Sequence, residues 1–197
     1  VEKVLKNISG EIFKNYKVEN IKRNSDNVRI NVGGEFLDYD QVVLASHADQ
    51  SLNMLKDPTD EENKILGKFS YISNKVFLHT DEKLMPKKKI AWSSWNSLSK
   101  KNNSSVTYWL NSLQNLDCEI NYFLTMNPVS EIDKNKIIYK TNFTHPYFNS
   151  ETLKAQKDLK LLQGKKRTWY CGSYFGYGFH EDGLKSSIDL IQNFKIS

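Results

Sequence analysis

A glycine-rich turn near the carboxy terminus has the residue types that could hold a polarised ligand. Residues 168–171 predict a short apolar strand, residues 172–183 form the turn, and a helix with apolar periodicity follows. This order brings backbone N–H groups together at the helix start, where the helix dipole favours an anion or a polarised oxygen. Glycine also lets the backbone approach a ligand without a Cβ atom in the way. The spacing is not GxGxxG, so a loop that needs glycines only to turn explains the pattern equally well.

Two other kinds of chemistry find little support in the sequence. His180, Glu181 and Asp182 are metal-ligating types, but three adjacent residues rarely converge on one ion, so no metal site is predicted. No Ser-His-Asp or Cys-His pattern has the local context of a hydrolase. The catalytic residue therefore stays unassigned.

The composition indicates a globular protein with neither a nucleic-acid site nor a membrane-spanning segment. Of the 197 residues, 39% are hydrophobic and 26% are charged, with a net charge of +5. Only Arg23, Arg29 and Arg167 are arginines, whereas nucleic-acid sites usually use the planar fork of arginine. No apolar run approaches the roughly 20 residues that span a bilayer. Cys118 and Cys171 are the only cysteines, which favours a reducing cytoplasm.

The first part of the chain predicts a helix, a hairpin and a buried strand. Val1, Val4, Leu5 and Ile8 have helical spacing, and a glycine follows as a stop. Residues 17–23 and 28–32 predict strands on either side of a turn at 24–27. After Gly33, Gly34 and a polar stretch, the apolar centre of residues 41–46 predicts a strand that is covered on both faces.

The rest of the chain predicts a capped helix, an antiparallel sheet and two further helices. Thr59 opens a capping box, and residues 69–144 contain strands separated by polar loops such as 100–103. Ser150 is expected to cap a helix that runs to residue 163 and ends at a glycine. The apolar face of the last helix is expected to consist of Leu184, Ile188, Leu190 and Ile191. The predicted fold class is therefore α/β with α+β character.

Several segments together resemble a known family. Flavin-containing amine oxidoreductases end in a motif that resembles residues 169–172 and 178–187, WYCG and GFHEDGLKSS. A second resemblance is to the bacterial branch of predicted NAD/FAD-binding oxidoreductases in this superfamily. It rests on residues 40–48, 78–81, 91–96 and 106–111, which read DQVVLASHA, LHTD, AWSSWN and VTYWLN. The resemblance covers nearly the whole chain, and residues 178–183 are its most specific part.

The resemblance implies a set of FAD-binding positions. Val18 matches a position whose backbone contacts the adenine, and Ala45 and Ser46 match the segment that passes the diphosphate. Gly172 and Ser173 match the strand end near the ribityl chain, although the family usually has an acid where Ser173 stands. The helix start under the flavin ring corresponds to three further positions, Glu181, Asp182 and Gly183.

The resemblance also implies a substrate site and a division into domains. His180 falls near an aromatic position that walls the substrate site, and Trp95 and Tyr108 are further candidates for lining it. Residues 1–48 and 165–197 would form an incomplete FAD/NAD(P)-binding domain, and residues 49–164 an antiparallel-sheet substrate domain. The family's amino-terminal strand, GxGxxG turn and helix are nowhere in these 197 residues. The chain begins at Val1 without a start methionine, so we expect a fragment of a longer protein.

The function implied for the full-length parent is FAD-dependent hydride abstraction from an amine, a polyene or a lipid-like small molecule. The alternative is a non-catalytic remnant module that binds a protein partner or an apolar ligand. The strand at 41–46 would lack a neighbour in an incomplete sheet, so self-association through this region is also expected.

Overall fold

The computed structural model describes residues 2–100 and 103–194, and these residues form two compact units. Unit 1 consists of Val1–Ser70 and Pro146–Ser197, and unit 2 consists of Tyr71–His145. The sequence-based boundaries, at residues 48 and 165, differ from these. Assignment of the units to cofactor and substrate stays a prediction, because compactness alone assigns no function.

Unit 1 contains an antiparallel meander of three strands. These are β1 (Val18–Arg23), β2 (Val28–Val32) and β3 (Glu35–Tyr39), in the order β1-β2-β3. The predicted hairpin is confirmed, and its turn is closed by the bond from Asn24 N to Asn27 O at 2.8 Å. The sequence-based interpretation missed β3, because its alternate residues are charged or exposed and it looks like a polar loop.

A pair of parallel strands forms the second sheet of unit 1. Strand β4 (Val42–Leu44) pairs with β10 (Thr168–Tyr170), and Cys171 N continues the ladder to Leu44 O at 3.1 Å. The prediction that β4 is covered on both faces is wrong. Val43 is 44% exposed, because alternate side chains of a strand point to opposite faces and only the face of Val42 and Leu44 is covered.

The shorter helices of unit 1 agree with the sequence-based prediction only in part, since α2 was not predicted and the helix expected to run to residue 163 ends at Asp158. They are α1 (Glu2–Leu5), α2 (Ala48–Met54), α3 (Asp60–Leu66) and α5 (Ser150–Asp158). Helix α1 stops before Ile8, and Val1 lies outside the described residues. The Thr59 capping box is confirmed. The cap of α5 is Asn149 rather than Ser150, because its side-chain oxygen accepts a hydrogen bond from Thr152 N at 2.9 Å.

The last helix, α6 (His180–Asn193), buries a different face from the one predicted. Ser186 and Leu190 are buried, whereas Leu184 and Ile191 are 56% and 70% exposed. Close packing explains the difference, because the helix turns its small residues toward the end of β10. Leu190 belongs to a buried apolar cluster with Trp169 and Cys171.

A buried polar network joins three elements of unit 1. Arg23 of β1 makes two hydrogen bonds to the carboxylate of Glu62 on α3, at 2.5 and 2.9 Å. The hydroxyl of Tyr170 on β10 donates to the same carboxylate at 2.6 Å. Burial opposes the charge of Glu62, but these bonds and one from Thr59 N hold its pKa at about 2. The network stabilises the packing of the meander, α3 and the parallel pair.

Unit 2 is built on a five-stranded sheet, and the predicted antiparallel sheet in this part of the chain is confirmed. Its strands are β5 (Ser70–His79), β6 (Trp95–Lys100), β7 (Asn103–Trp109), β8 (Phe123–Met126) and β9 (Ile137–Tyr147), and the short α4 (Leu110–Leu113) follows β7. The order is β6-β7-β8-β5-β9, and the first three neighbouring pairs are antiparallel. The polar loop predicted at 100–103 includes residues 101–102, which lie outside the described residues. The predicted fold class is confirmed.

Candidate functional site

The end of β10 and the start of α6 meet at a point where three backbone segments come together. A Cβ atom on Gly183 would lie 3.6 Å from Ser173 N and 4.0 Å from Gly172 C. A Cβ atom on Gly172 would lie 3.6 Å from the carbonyl oxygen of Ser46, just beyond β4. The structure therefore places four of the eight predicted cofactor residues side by side: Ser46, Gly172, Ser173 and Gly183.

Gly172 is needed at the strand end for its backbone conformation. Its φ of 151° lies in the region that residues with side chains rarely adopt. A Cβ atom would also meet the ring of Tyr174 at 2.8 Å. A side chain here would therefore strain the turn and move the peptide groups that follow β10.

Ser186 holds the strand end and the helix together. Its Oγ accepts from Gly172 N at 2.9 Å and lies within donating distance of Gly183 O at 2.7 Å. The neighbouring Ser187 Oγ donates to the same Gly183 carbonyl at 3.0 Å. Sequence reasoning gave Ser186 no role, although its position three residues after the helical glycine could have signalled a bond to the turn.

The loop between β10 and α6 is held in place by side chains from both of its sides. The Asp182 carboxylate accepts from Tyr177 N at 3.0 Å and from Phe179 N at 2.9 Å. From α5, the Gln156 side-chain amide donates to the carbonyl oxygens of Tyr174 and Gly176. The Asp182 side chain thus shapes the loop, and the Asp182 N–H is itself paired with Phe179 O at 3.1 Å. The contact of Gln156 with this loop was not foreseen from the sequence, because Gln156 lies 16 residues before Gly172.

The first turn of α6 presents unpaired donors. His180 and Glu181 are its first two residues, and the N–H groups of such positions have no acceptor inside the helix. The Glu181 side chain is exposed and lies 3.9 Å from Lys185 Nζ. The arrangement offers backbone N–H groups and the positive end of a 14-residue helix to a ligand at this point.

The two other predicted cofactor residues lie elsewhere in unit 1. Ala45 follows β4 directly and is exposed. Val18 lies at the start of β1 and lines an apolar groove of about 330 Å³ with Phe13, Tyr16 and Val43. The groove was not foreseen from the sequence, because it depends on how the meander packs beside β4.

The predicted substrate-site residues fall in both units. His180 is exposed at the start of α6 in unit 1. Trp95 and Tyr108 are direct cross-strand partners in unit 2, and their rings lie edge to face with centroids 5.3 Å apart. The structure therefore brings together two of the three substrate-site candidates.

Within 2–100 and 103–194, no three histidine, cysteine or acidic side chains lie close enough to hold a metal ion. Within those ranges no helix is both long enough and apolar enough to cross a bilayer.

The fold is similar to that of several solved structures. The chain is similar to a fatty acid isomerase from P. acnes, with a TM-score of 0.72 and 18% identity over 99% of this chain and 51% of that one. Wild-type putrescine oxidase bound to putrescine has a TM-score of 0.60 and 8% identity, over 97% of this chain and 51% of its own. Cyclohexylamine oxidase from Brevibacterium oxydans has a TM-score of 0.58 and 8% identity, over 90% and 48%. The chain spans about half the length of these proteins.

The sequence also matches a family profile. Residues 3–117 match that of the flavin containing amine oxidoreductases, and the match covers more than half of the chain. The chain belongs to this family, which confirms the resemblance inferred from its motifs. A search of curated proteins found no significant match.

Proposed function

We propose that this chain is the carboxy-terminal part of an FAD-dependent oxidoreductase that removes hydride from a carbon of an amine, a polyene or a lipid-like substrate. The observation that carries the proposal is the convergence of Gly172, Ser173 and Gly183 at the start of α6, in a chain of the flavin containing amine oxidoreductase family. Bound FAD would accept the hydride. The residues of this chain would position the cofactor and the substrate.

The geometry of this turn fits a flavin. Gly183 has no side chain, so the first turn of α6 lies close to the peptide groups of Gly172 and Ser173 and both segments can face the same ligand. His180 and Glu181 would direct N–H groups at the electron-rich edge of the ring, where the helix dipole favours negative charge. We place Ser46 and Ala45 beside the diphosphate and Val18 beside the adenine, as the family resemblance implies.

Substitution at Gly183 tests this assignment. The protein to use is the full gene product that contains this chain, purified with its flavin. Gly183→Asp should abolish flavin binding, because a carboxylate would compete for the N–H groups and repel the electron-rich edge of the ring. Gly183→Ala is the matched control, since its Cβ would meet only ordinary contacts at 3.6 Å and beyond. Equal flavin content in the Gly183→Asp and wild-type proteins would show that the site is misplaced.

A second candidate is the non-catalytic module, which the apolar groove of unit 1 favours. Phe13, Tyr16 and Val43 would offer an uncharged surface to a partner or an apolar ligand. The coding sequence upstream of Val1 separates the two candidates. An in-frame strand followed by GxGxxG supports the enzyme, whereas a start codon at this point supports the module.

A further inference from the structure

A chain of buried polar side chains runs through the core of unit 2. His79 ends β5, and its Nε2 lies 2.8 Å from the Oγ1 of Thr125 on β8. The Thr125 hydroxyl lies 2.8 Å from the Oγ1 of Thr107 on β7. Each of these three side chains is at most 1% exposed. A buried polar group is costly unless it has a partner, so this geometry decides which protonation state of His79 the fold accepts.

The hydrogen bonds of His79 fix its neutral form. The backbone N–H of Asp81 donates to Nδ1 at 3.1 Å, so Nδ1 carries a lone pair rather than a proton. The ring proton is therefore on Nε2, which donates to Thr125 Oγ1. An imidazolium carries a proton on both nitrogens. Protonation of His79 would thus set a ring N–H against the N–H of Asp81, and the bond between them would break.

The carboxylate of Asp81 connects this histidine to the segment before β9. It is buried and accepts hydrogen bonds from Asp133 N at 2.9 Å and from Lys83 N at 3.2 Å. Burial opposes the charge of Asp81, but these two bonds and the nearby ammonium group of Lys136 lower its pKa. Asp81 therefore stays ionised and holds two backbone segments together.

The segment that Asp81 holds is one wall of a cavity in unit 2. Residues 127–134 line this cavity of about 950 Å³ together with Lys75, Phe77 and Lys83. Asp133 and the buried Ile132 belong to the wall, and the bond from Asp133 N to Asp81 fixes their backbone. A change in the partners of Asp81 would therefore move the wall.

The charged groups near His79 lie on the side of Asp81. The neighbours of the ring on β8 and β7 are uncharged, and the Phe123 ring lies 5.6 Å from it between centroids. Burial lowers the pKa of His79, whereas the negative charge of Asp81 favours the protonated ring. Three further charged side chains surround Asp81 rather than the ring, and these are Lys83, Asp133 and Lys136.

We infer that His79 and Asp81 form a proton-driven switch that sets the wall of this cavity. In the neutral state Asp81 donates its N–H to the ring, and its carboxylate holds the N–H groups of Asp133 and Lys83. In the protonated state the Nδ1–H needs an acceptor, and the Asp81 carboxylate is the anion that acts on the ring. By turning to the ring it releases Asp133 N, so acid loosens residues 127–134 while the strands stay paired.

The direction of the pH response follows from burial. The pKa of His79 is below its ordinary value of 6.5 in the folded chain. A form of the chain in which His79 is released from its bonds therefore takes up the proton more readily than the closed form. The closed form is favoured above pH 6.5 and loses ground as the pH falls below that value.

Amide hydrogen exchange of the purified chain, followed by mass spectrometry, tests the switch from about pH 7.5 to about pH 4.5. The rates are corrected for the intrinsic pH dependence of exchange. In the wild type, peptides from residues 127–136 should lose protection at least about tenfold toward the acid end, while β7 keeps its protection. In His79→Gln their protection should stay constant, because the glutamine amide can accept from Asp81 N and donate to Thr125 but takes up no proton.

His145→Gln is the matched control, because His145 is an exposed histidine of the same unit, and it should keep the wild-type response. If His79→Gln does not fold, nuclear magnetic resonance of the imidazole nitrogens in the wild type decides the question. His79 should be the neutral Nε2–H form at the upper pH and take up its proton over the range in which residues 127–136 lose protection. A wild type without this loss, a loss that includes β7, or an unchanged response in His79→Gln would overturn the inference.

Discussion

The hydroxyl of Ser186 lies 2.9 Å from the backbone nitrogen of Gly172 and 2.7 Å from the carbonyl oxygen of Gly183. One small side chain thus ties the end of a strand to the first turn of the helix that follows it. The relationship sets the distance between the two backbone segments that would face a flavin.

Ser186→Ala should therefore lower the free energy of unfolding by about 1–3 kcal/mol, because it leaves the partly buried Gly172 N–H without its acceptor. Ser187→Ala is the matched control. It removes only one bond to Gly183 O and should cost about 1 kcal/mol or less. Urea unfolding monitored by circular dichroism gives both values. Equal losses in the two variants would contradict the anchoring role of Ser186.

The Glu62 network should make unit 1 sensitive to acid. The pKa of Glu62 is about 2 in the folded chain, below the ordinary value of 4.5. Between these two pH values the unfolded chain takes up a proton at Glu62 and the folded chain does not. Ionised Glu62 therefore adds on the order of 3 kcal/mol to the free energy of unfolding. This contribution is present above pH 4.5 and is lost as the pH falls toward 2.

Glu62→Gln removes this ionisation while keeping the shape of the side chain. Urea unfolding at several pH values between 5 and 2.5 should show a steeper loss of stability in the wild type than in Glu62→Gln. The difference in slope isolates Glu62 from the other carboxylates. Parallel curves would mean that Glu62 is not held ionised by Arg23 and Tyr170.

The chain by itself should bind FAD poorly or not at all. The pyrophosphate carries most of the charge of the cofactor, and the strand, GxGxxG turn and helix that usually receive it are not in this sequence. Purified protein incubated with FAD and desalted should be colourless. A yellow preparation with one flavin per chain would refute this expectation.

We propose that the chain self-associates through β4. Among the described residues β4 pairs only with β10, and Val43 faces the apolar groove beside Phe13 and Tyr16. An unpaired strand edge beside an apolar surface is a template for another chain. Light scattering should show a dimer or larger species in the wild type and a shift toward monomer in Val43→Lys.

Ile138→Lys provides the comparison for the self-association test, because Ile138 is an exposed apolar residue on β9 in unit 2. It should leave the association unchanged. A wild-type chain that stays monomeric at high concentration would show that β4 is not the contact.

The sequence by itself determined the features that depend on a few consecutive residues. The hairpin of β1 and β2 follows from its polar turn, and the start of α3 follows from Thr59 and Glu62, whose reciprocal bonds need only local spacing. The order of strand, glycine-rich turn and helix in residues 168–193 was also readable, because each part follows from its local composition. All of these have local causes.

Tertiary structure alone decided which surfaces are buried and which residues meet. Helix α6 turns Ser186 inward and Leu184 outward, because the end of β10 requires a close approach that periodicity does not encode. Trp95 and Tyr108 are 13 positions apart, yet strand register makes them neighbours. Glu62 of α3 and Tyr170 of β10 are 108 positions apart, and the packing of helix and strand within unit 1 brings them into contact. Contacts between distant segments depend on how the elements pack, and hydrophobic pattern specifies that some face is buried but not which partner covers it.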